Sequence, residues 1–389
     1  MAPAPRDAAL ALAALASLAT VFTMSTARYF LLGPDMPSWE YGVQLSRDVI
    51  RFLSRTSPTD PACAVVYQAS NRYWPVFSQL LPKPSAVQTD SFAIPAYPLD
   101  DADLASAGVW AAKLTGVADA SRNLTLPAES ILASDAANVT DPATRGRAIL
   151  YFHGGAYVSG SLESYRETHT RMSRASGLRV YGFEYRLAPA FQYPTQLYDA
   201  FCAFRHMREL GYADQDIIFA GDSAGGNLVL ALWQLLRPPI PAMVLLSPRV
   251  DVTSSTPSWK TFAGIDVLDP YVISDPNSSI HQLLLPPGAE LTPEVLGLLA
   301  DPFIAPVHAN LTGLPPTLVQ VGTAEVMSDD IRAFVSRANA QNSTGPQGSV
   351  ELQQYLEMFH VFQASPIVTP RVDRAWDAVG AFVRSLGST

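Results

Sequence analysis

Residues 216–227 read DIIFAGDSAGGN, and this stretch decides the fold. Its apolar first half is typical of a buried strand, and the run that follows, NLVLALWQLL, is typical of a buried helix. Between them, the glycines of Gly221-Asp222-Ser223-Ala224-Gly225 permit a strained strand-to-helix turn that would lift the hydroxyl of Ser223 above a sheet. An ordinary glycine-rich turn is the alternative, but the strand before it and the helix after it favour Ser223 as a nucleophile.

Short apolar runs alternate with helical patterns on both sides of this turn. Strands that alternate with helices predict a mainly parallel sheet covered by helices on both faces. In such sheets ligands bind at the carboxyl ends of the strands, so the residues that follow each strand are the candidate site residues. The predicted strands are RAILYFH, GLRVYGFEY, DIIFAGD, AMVLLSP, TLVQVG and VELQQYLEMFH.

A glycine-rich loop follows the first of these strands, with the sequence His153-Gly154-Gly155-Ala156-Tyr157. Small residues allow backbone N–H groups to point at an oxygen that becomes negative when a nucleophile attacks a carbonyl. Such donors contribute about 3 kcal/mol each in mutational tests. The N–H of Ala224 would complete this oxyanion hole. A tight turn with a buried histidine is the alternative.

A histidine and three carboxylates follow the last two predicted strands. His360, in YLEMFHVFQ, is placed to take the Ser223 proton and return it to a leaving group. Ser328 is predicted to cap a helix whose first turn holds Asp329 and Asp330, where carboxylates suit the helix dipole. Glu325 has no such structural role and gives the chain order serine, acid, histidine. It is therefore the predicted acid partner of His360, with Asp329 as the fallback.

Taken together, these motifs resemble the hormone-sensitive-lipase-like branch of the α/β-hydrolase fold, which includes microbial esterases and arylacetamide deacetylases. The resemblance spans roughly residues 105–385. It implies an eight-stranded, mainly parallel core sheet, a helical cap and ester hydrolysis through a serine triad. The motifs that carry it are HGGAYVSGS, YRLAPAFQYPTQLYDA, GDSAGGN, GLPPTLVQVG and MFHVF.

The resemblance assigns roles to individual residues and also shows two departures. Ser223 matches the nucleophile and His360 the base, and the oxyanion region is matched by Gly154, Gly155, Ala156 and Ala224. Ala156 stands where the family usually has a third glycine. Glu325 stands where the family commonly has aspartate. A structural landmark of the family is matched by Tyr185, Arg186, Pro189 and Asp199.

The chain is predicted to consist of three parts. Residues 1–28 contain an uncharged apolar stretch, Ala8 to Ala27, that would be a membrane anchor, a cleaved signal peptide or a soluble helix. Residues 29–100 are assigned to a helical cap region, with an amphipathic helix from Tyr41 and a Pro-rich linker, LLPKPSAVQTD. Residues 101–389 are assigned to the hydrolase domain, with a cap-like insertion at about 250–310 over the same end of the sheet.

Five Asn-x-Ser/Thr sequons favour one of two locations for the protein. It would be attached to the membrane of the endoplasmic reticulum and face the lumen, or it would be secreted. Each sequon is weak evidence alone, but five of the eight asparagines lie in one. The candidate acceptors are Asn123, Asn138, Asn277, Asn310 and Asn342.

The charge and the cysteine content of the sequence limit the kinds of ligand and partner that the protein can have. The net charge is −9 with only three lysines, which argues against nucleic acid. The two cysteines cannot make a disulfide framework, and Cys202 lies in an apolar helical pattern typical of a buried thiol. The sequence contains no HExxH, CxxC, Walker or dinucleotide motif, so neither a metal nor a cofactor is predicted. The expected partner is a small-molecule ester, and the sequence leaves the oligomeric state open.

Three functions are compatible with these residues. The first is hydrolysis of a small to medium apolar ester through an acyl-enzyme on Ser223. The second keeps the scaffold for amide hydrolysis or for a non-hydrolytic step in secondary metabolism. The third is a ligand-binding receptor, which the presence of His360 disfavours because receptors on this scaffold have lost that residue.

Overall fold

The computed structural model describes residues 5–54, 87–133, 146–268, 270, 278–343, 350–365 and 369–387. Within them the strands form one eight-stranded sheet in the order β1-β2-β4-β3-β5-β6-β7-β8. β1 and β2 are antiparallel to their neighbours, and the remaining pairs are parallel. The strands are β1 (Val87–Pro95), β2 (Thr125–Ala133), β3 (Ala148–Phe152), β4 (Arg179–Phe183), β5 (Ile217–Asp222), β6 (Met243–Leu246), β7 (Thr317–Gly322) and β8 (Val350–Tyr355).

The helices connect these strands and cover the sheet. They are α1 (Pro5–Leu32), α2 (Tyr41–Ser54), α3 (Asp101–Leu104), α4 (Ala111–Ser121), α5 (Leu162–Ser176), α6 (Thr195–Glu209), α7 (Ser223–Leu236), α8 (Pro257–Thr261), α9 (Ser279–Leu284), α10 (Pro293–Gly297), α11 (Ser328–Gln341) and α12 (Pro370–Ser385).

The central strands are buried on both faces, which is why their sequences read as continuous apolar runs. Every residue of β3, β5, β6 and β7 is buried. Alternate side chains enter opposite cores: Phe219 packs in one apolar cluster, whereas Ile218 and Ala220 pack in the other. The predicted α/β-hydrolase sheet, mainly parallel and eight-stranded, is confirmed.

The sheet begins earlier than the sequence pattern indicated. β1 includes Val87–Asp90, which were predicted to belong to a Pro-rich linker, so this part of the linker prediction is wrong. The remainder of that linker lies outside the described residues. β1 also precedes residue 101, the predicted start of the hydrolase domain. Most side chains of β1 are exposed, so the strand lacks the apolar run that marks a buried strand.

The N-terminal helices pack on each other and on the body of the protein. α2 begins at Tyr41, as its amphipathic pattern predicts. The Trp39 indole, just before it, donates a 2.5 Å hydrogen bond to the carbonyl of Glu357. No helix in the described part of the chain combines the length and the apolar character that crossing a membrane requires.

The segment between β6 and β7, where a cap-like insertion is predicted, holds the short helices α8, α9 and α10. It lies against the carboxyl ends of the strands, where Ser258 donates from its hydroxyl to the carbonyl of Val326 at 2.5 Å. The carbonyl of Ile304 accepts a 3.0 Å hydrogen bond from the Asn227 side chain at the start of α7. The insertion therefore covers the end of the sheet at which a ligand would bind.

Candidate active site

Ser223 lies at the sharp turn between β5 and α7, where its backbone is left-handed with φ +50°. A non-glycine residue in this region is strained. The turn is possible because a neighbouring glycine lets two backbones meet: a Cβ at Gly225 would overlap the carbonyl oxygen of Phe152. The serine hydroxyl is thereby held at the carboxyl end of the central strand.

The structure brings the three predicted residues Ser223, His360 and Glu325 together. His360 Nε2 lies 2.9 Å from Ser223 Oγ, and His360 Nδ1 lies 2.8 Å from Glu325 Oε2. Glu325 is fully buried, and the exposed fractions of Ser223 and His360 are 8% and 6%. This chain of hydrogen bonds fits a neutral imidazole that accepts the serine proton while a carboxylate fixes its tautomer.

Two further contacts orient the carboxylate of Glu325. Its Oε1 accepts hydrogen bonds from the N–H of Gly322 at 2.6 Å and from the hydroxyl of Ser247 at 3.0 Å. This leaves Oε2 for the imidazole. Ser247 was missed by the sequence reasoning; its position directly after a strand, at the end where ligands bind, was the available signal.

The surroundings of His360 favour its charged form. Burial alone would lower the pKa of the imidazole, but the hydrogen bond and charge of Glu325, with the charges of Asp266 and Asp222, raise the pKa above its usual value. Support for the imidazolium is what a base needs when it takes a proton during the reaction.

The loop after β3 is only partly as predicted. The N–H of Gly154 donates to Asp222 Oδ1 at 3.0 Å, so this group is already engaged and cannot serve an oxyanion hole. In the described residues, the N–H groups of Gly155 and Ala156 have no hydrogen-bond acceptor. Ala224 lies in the first turn of α7, where N–H groups have no partner within the helix. These three residues remain the candidate donors.

The side chain of Asp222 holds the loop after β3 in place. Its buried carboxylate accepts hydrogen bonds from the hydroxyls of Tyr151 and Tyr165, each at 2.9 Å, and burial raises its pKa. A side chain at Gly154 would collide with this carboxylate, which explains the glycine. Ala156, the departure from the family pattern, adopts φ +57°, a conformation that glycine adopts without strain.

The other two carboxylates that follow β7, Asp329 and Asp330, hold the insertion. Asp329 Oδ2 accepts from the N–H of Ser258 at 2.8 Å, and Asp330 Oδ2 accepts from the Trp259 indole at 2.8 Å. Both lie in the first turn of α11, as predicted, but the cap prediction is wrong: Met327 is the capping residue and Ser328 is the first helical residue. The N–H of Ser328 already bonds the carbonyl of Glu325, so the chain turns helical one residue earlier.

Metal-binding groups do not converge on this site. Within the part of the chain that the structure describes, no three or more His, Cys, Asp or Glu side chains are arranged to hold an ion. The sulfur of Cys202 is buried, and burial raises its pKa to about 11, so it stays protonated.

The sequence matches the α/β-hydrolase fold family over residues 149–364, a span that contains Ser223, Glu325 and His360. The chain belongs to this family. Among relatives in the α/β-hydrolase family, an acetyl-hydrolase of Streptomyces hygroscopicus is 34% identical over 244 residues, which cover 62% of this chain and 76% of that protein. An esterase of Acinetobacter venetianus is 31% identical over 248 residues, which cover 63% and 77% of the two chains.

A solved structure refines the placement within the α/β-hydrolases. The crystal structure of an esterase from the bacterial hormone-sensitive lipase family has a TM-score of 0.63 and 26% identity, and the alignment covers 90% of this chain and 99% of that one. The predicted resemblance to the hormone-sensitive-lipase-like branch is confirmed by these matches.

Proposed function

We propose that the protein is a serine carboxylic ester hydrolase. The observation that carries the proposal is the continuous chain of hydrogen bonds from Ser223 through His360 to Glu325 at 2.9 and 2.8 Å. Relatives named esterase and acetyl-hydrolase support the same chemistry.

In the proposed mechanism, Ser223 Oγ attacks the ester carbonyl while its proton passes to His360 Nε2. The resulting oxyanion accepts hydrogen bonds from the backbone N–H groups of Gly155, Ala156 and Ala224. His360 then donates the proton to the leaving alcohol, and an acyl-enzyme forms on Ser223. Water, deprotonated by His360, attacks the acyl carbonyl and releases the carboxylic acid, which restores the serine.

Removal of the nucleophile tests the proposal. Ser223→Ala should abolish hydrolysis of a nitrophenyl ester and covalent labelling by an organophosphonate, whereas Ser385→Ala, a surface change on α12, should leave both unchanged. Ester turnover that survives Ser223→Ala would overturn it.

The substrate class is proposed as a small to medium apolar ester. The insertion over the site contributes apolar side chains, among them Phe303 and Ile304, to the core next to α7. The relative named acetyl-hydrolase favours a short acyl group. A panel of esters from acetate to laurate should give its highest kcat/KM at short or medium chains; a steady rise to laurate would contradict this class.

Amide hydrolysis would use the same residues, and a matched pair of ester and anilide substrates separates the two activities. A non-hydrolytic role requires that biological activity survive Ser223→Ala. A receptor role requires tight ligand binding without labelling of Ser223. Neither is favoured by a contact in the site.

We also propose that the body is glycosylated, either in the lumen of the endoplasmic reticulum, attached to its membrane, or after secretion. Asn123 and Asn310 are exposed acceptors, which supports the proposal. Asn342 is a poor acceptor because its Nδ2 already donates to the carbonyls of Leu311 and Ala338. Asn138 and Asn277 lie outside the described residues. Endoglycosidase treatment after expression in a eukaryotic host should lower the mass, and less so for Asn123→Gln; an unchanged mass would overturn the proposal.

A further inference from the structure

A third carboxylate, absent from the predicted site, lies behind the His360–Glu325 pair. Asp266 belongs to the insertion, in the loop after α8, and is fully buried. It accepts hydrogen bonds from three backbone N–H groups: Oδ1 accepts from Val267 at 2.7 Å and from His360 at 2.8 Å, and Oδ2 accepts from Val326 at 2.8 Å.

Two of these donors belong to the two loops that carry the imidazole and its acid partner. One is the backbone of His360 itself, and the other is the residue directly after Glu325. The two oxygens of a carboxylate are held rigidly apart, so one side chain fixes the distance between the loops. A shift of either loop would break a hydrogen bond to a buried charge, which is costly.

The loop of Asp266 is itself held from the N-terminal side. Arg51 of α2 donates to the carbonyl of Asp266 at 2.6 Å, and Arg47 donates to the carbonyl of Gly264 at 3.2 Å. Arg47 also lies over the ring of Trp39 and pairs with Asp48. The loop that carries Asp266 is thus held by α2 through its backbone and by the two site loops through its carboxylate.

We propose that Asp266 is a positioning residue for the hydrolytic site: it locks the His360 and Glu325 loops in register and adds a second negative charge that supports protonated His360. The proposal rests on the proposed function, because it assigns Asp266 to the same proton transfer. Its role is indirect, since it contacts the backbone of His360 and not the reacting atoms.

Several charged groups lie near Asp266. Burial, followed by the charge of Glu325, raises its pKa to about 6, while His360 and the backbone N–H groups oppose that rise. Arg47 and Arg51 approach from α2, and Asp222 is the remaining acid near the imidazole. At pH 7 and above Asp266 is therefore mainly charged and adds to the field at His360.

The test is Asp266→Asn, compared with Asp330→Asn. Asp330 is a matched control because it is also buried and also has its pKa raised to about 6, but it bonds the indole of Trp259 and not the backbone of the site loops. An asparagine at this position has one oxygen and one NH₂ group, so it cannot accept from the N–H groups of Val326 and His360 at its two ends. One of the two loops therefore loses its hydrogen bond.

We expect Asp266→Asn to lower kcat for a nitrophenyl ester at least ~10-fold with little change in KM, as for loss of an interaction specific to the transition state. The acid limb of the kcat/KM profile should move to lower pH by roughly 0.5–1 unit, because loss of a neighbouring negative charge lowers the pKa of His360. Asp330→Asn should move neither quantity. Asp266→Glu, which keeps the charge, should lower kcat without moving the acid limb.

Several results would overturn the inference. One is an Asp266→Asn enzyme with wild-type kcat and an unmoved acid limb; another is an equal effect of Asp330→Asn, which would indicate a general structural role. Should the Asp266 variants fail to fold, hydrogen exchange on the wild-type enzyme decides: the amides of Val326 and His360 share one acceptor and should open together. Protection factors that differ by more than ~10-fold would refute a shared lock. An inactive wild type would instead refute the proposed function.

Discussion

At the scale of single residues, the main question is which of three neighbouring acids serves His360. Glu325, Asp329 and Asp330 lie within six residues of sequence, yet their environments differ completely. Only Glu325 reaches the imidazole, and the other two hold the insertion through Ser258 and Trp259. The sequence alone predicted this division, because helix-end positions account for Asp329 and Asp330 and leave Glu325 as the predicted acid.

Glu325→Gln should lower kcat by about 10⁴-fold, the size seen when an aspartate of such a triad becomes asparagine. The acid limb of the pH profile should also move to lower pH, since the hydrogen bond and charge of Glu325 raise the pKa of His360. Steady-state kinetics from pH 5 to 9 measure both effects. Asp329→Asn is the control and should retain near wild-type kcat; loss of activity in the control alone would assign the acid role to Asp329.

The site residues that lie in recognisable motifs could be predicted from the sequence, and those outside such motifs could not. Ser223 and His360 follow strands and have recognisable neighbours. The Ser247 hydroxyl contacts the side chain of Glu325, and the Asp266 carboxylate contacts the backbones of two other loops. No local sequence pattern marks such contacts. Gly154 matched the motif, but its N–H faces Asp222, a direction that only the folded loop reveals.

Among the strands and helices, the fully buried strands are the elements that the sequence predicts best. The fully buried strands β3, β5, β6 and β7 are all marked by apolar runs. The ends of α5 have a clear local cause, because Ser161 and Ser164 form a capping box at its start and Gly177 adopts the left-handed C-cap at its end. β1 and β2 were missed because each contains Pro and β1 exposes most of its side chains.

The contact between α8 and α11 gives a prediction on stability. Asp330 is buried and its pKa is raised to about 6, above the unfolded value of 3.8. Its contribution to stability is therefore greatest below pH 4 and is lost as pH rises through 6. Asp330→Asn removes this dependence, so the unfolding free energy of the variant relative to wild type should be higher at pH 7.5 than at pH 4.5.

Urea unfolding of both proteins at the two pH values measures this difference. Lys260→Gln, a neighbouring exposed change on α8, should show no such pH dependence. A variant that loses stability relative to wild type as pH rises would contradict the assignment.

At the scale of the whole molecule, α2 joins parts of the chain that are distant in sequence. The Oγ atoms of Ser46, on α2, and Ser365 lie 2.6 Å apart. Arg51, also on α2, donates a hydrogen bond to the carbonyl of Asp266. The described part of the N-terminal region therefore supports the loops of the site.

Two truncations test this support. Deletion of residues 1–28 keeps α2 and should leave kcat for a nitrophenyl ester near the wild-type value. Deletion of residues 1–54 removes Arg47 and Arg51 and should lower kcat at least ~10-fold, because the loop of Asp266 loses its clamp. Circular dichroism should show the sheet retained in both. Equal activity of the two proteins would show that α2 does not support the site.

The contact between Ser46 and Ser365 has a consequence for the order in which the molecule is made. The two residues are 319 positions apart, and at 5–20 residues per second the ribosome needs roughly 15–60 s to cover that interval. During this time α2 has been synthesised while its docking surface has not. The side of α2 that docks on this segment therefore stays exposed on the nascent chain until synthesis is nearly complete. The support that α2 gives to the site is therefore complete only after the segment around Ser365 has been made.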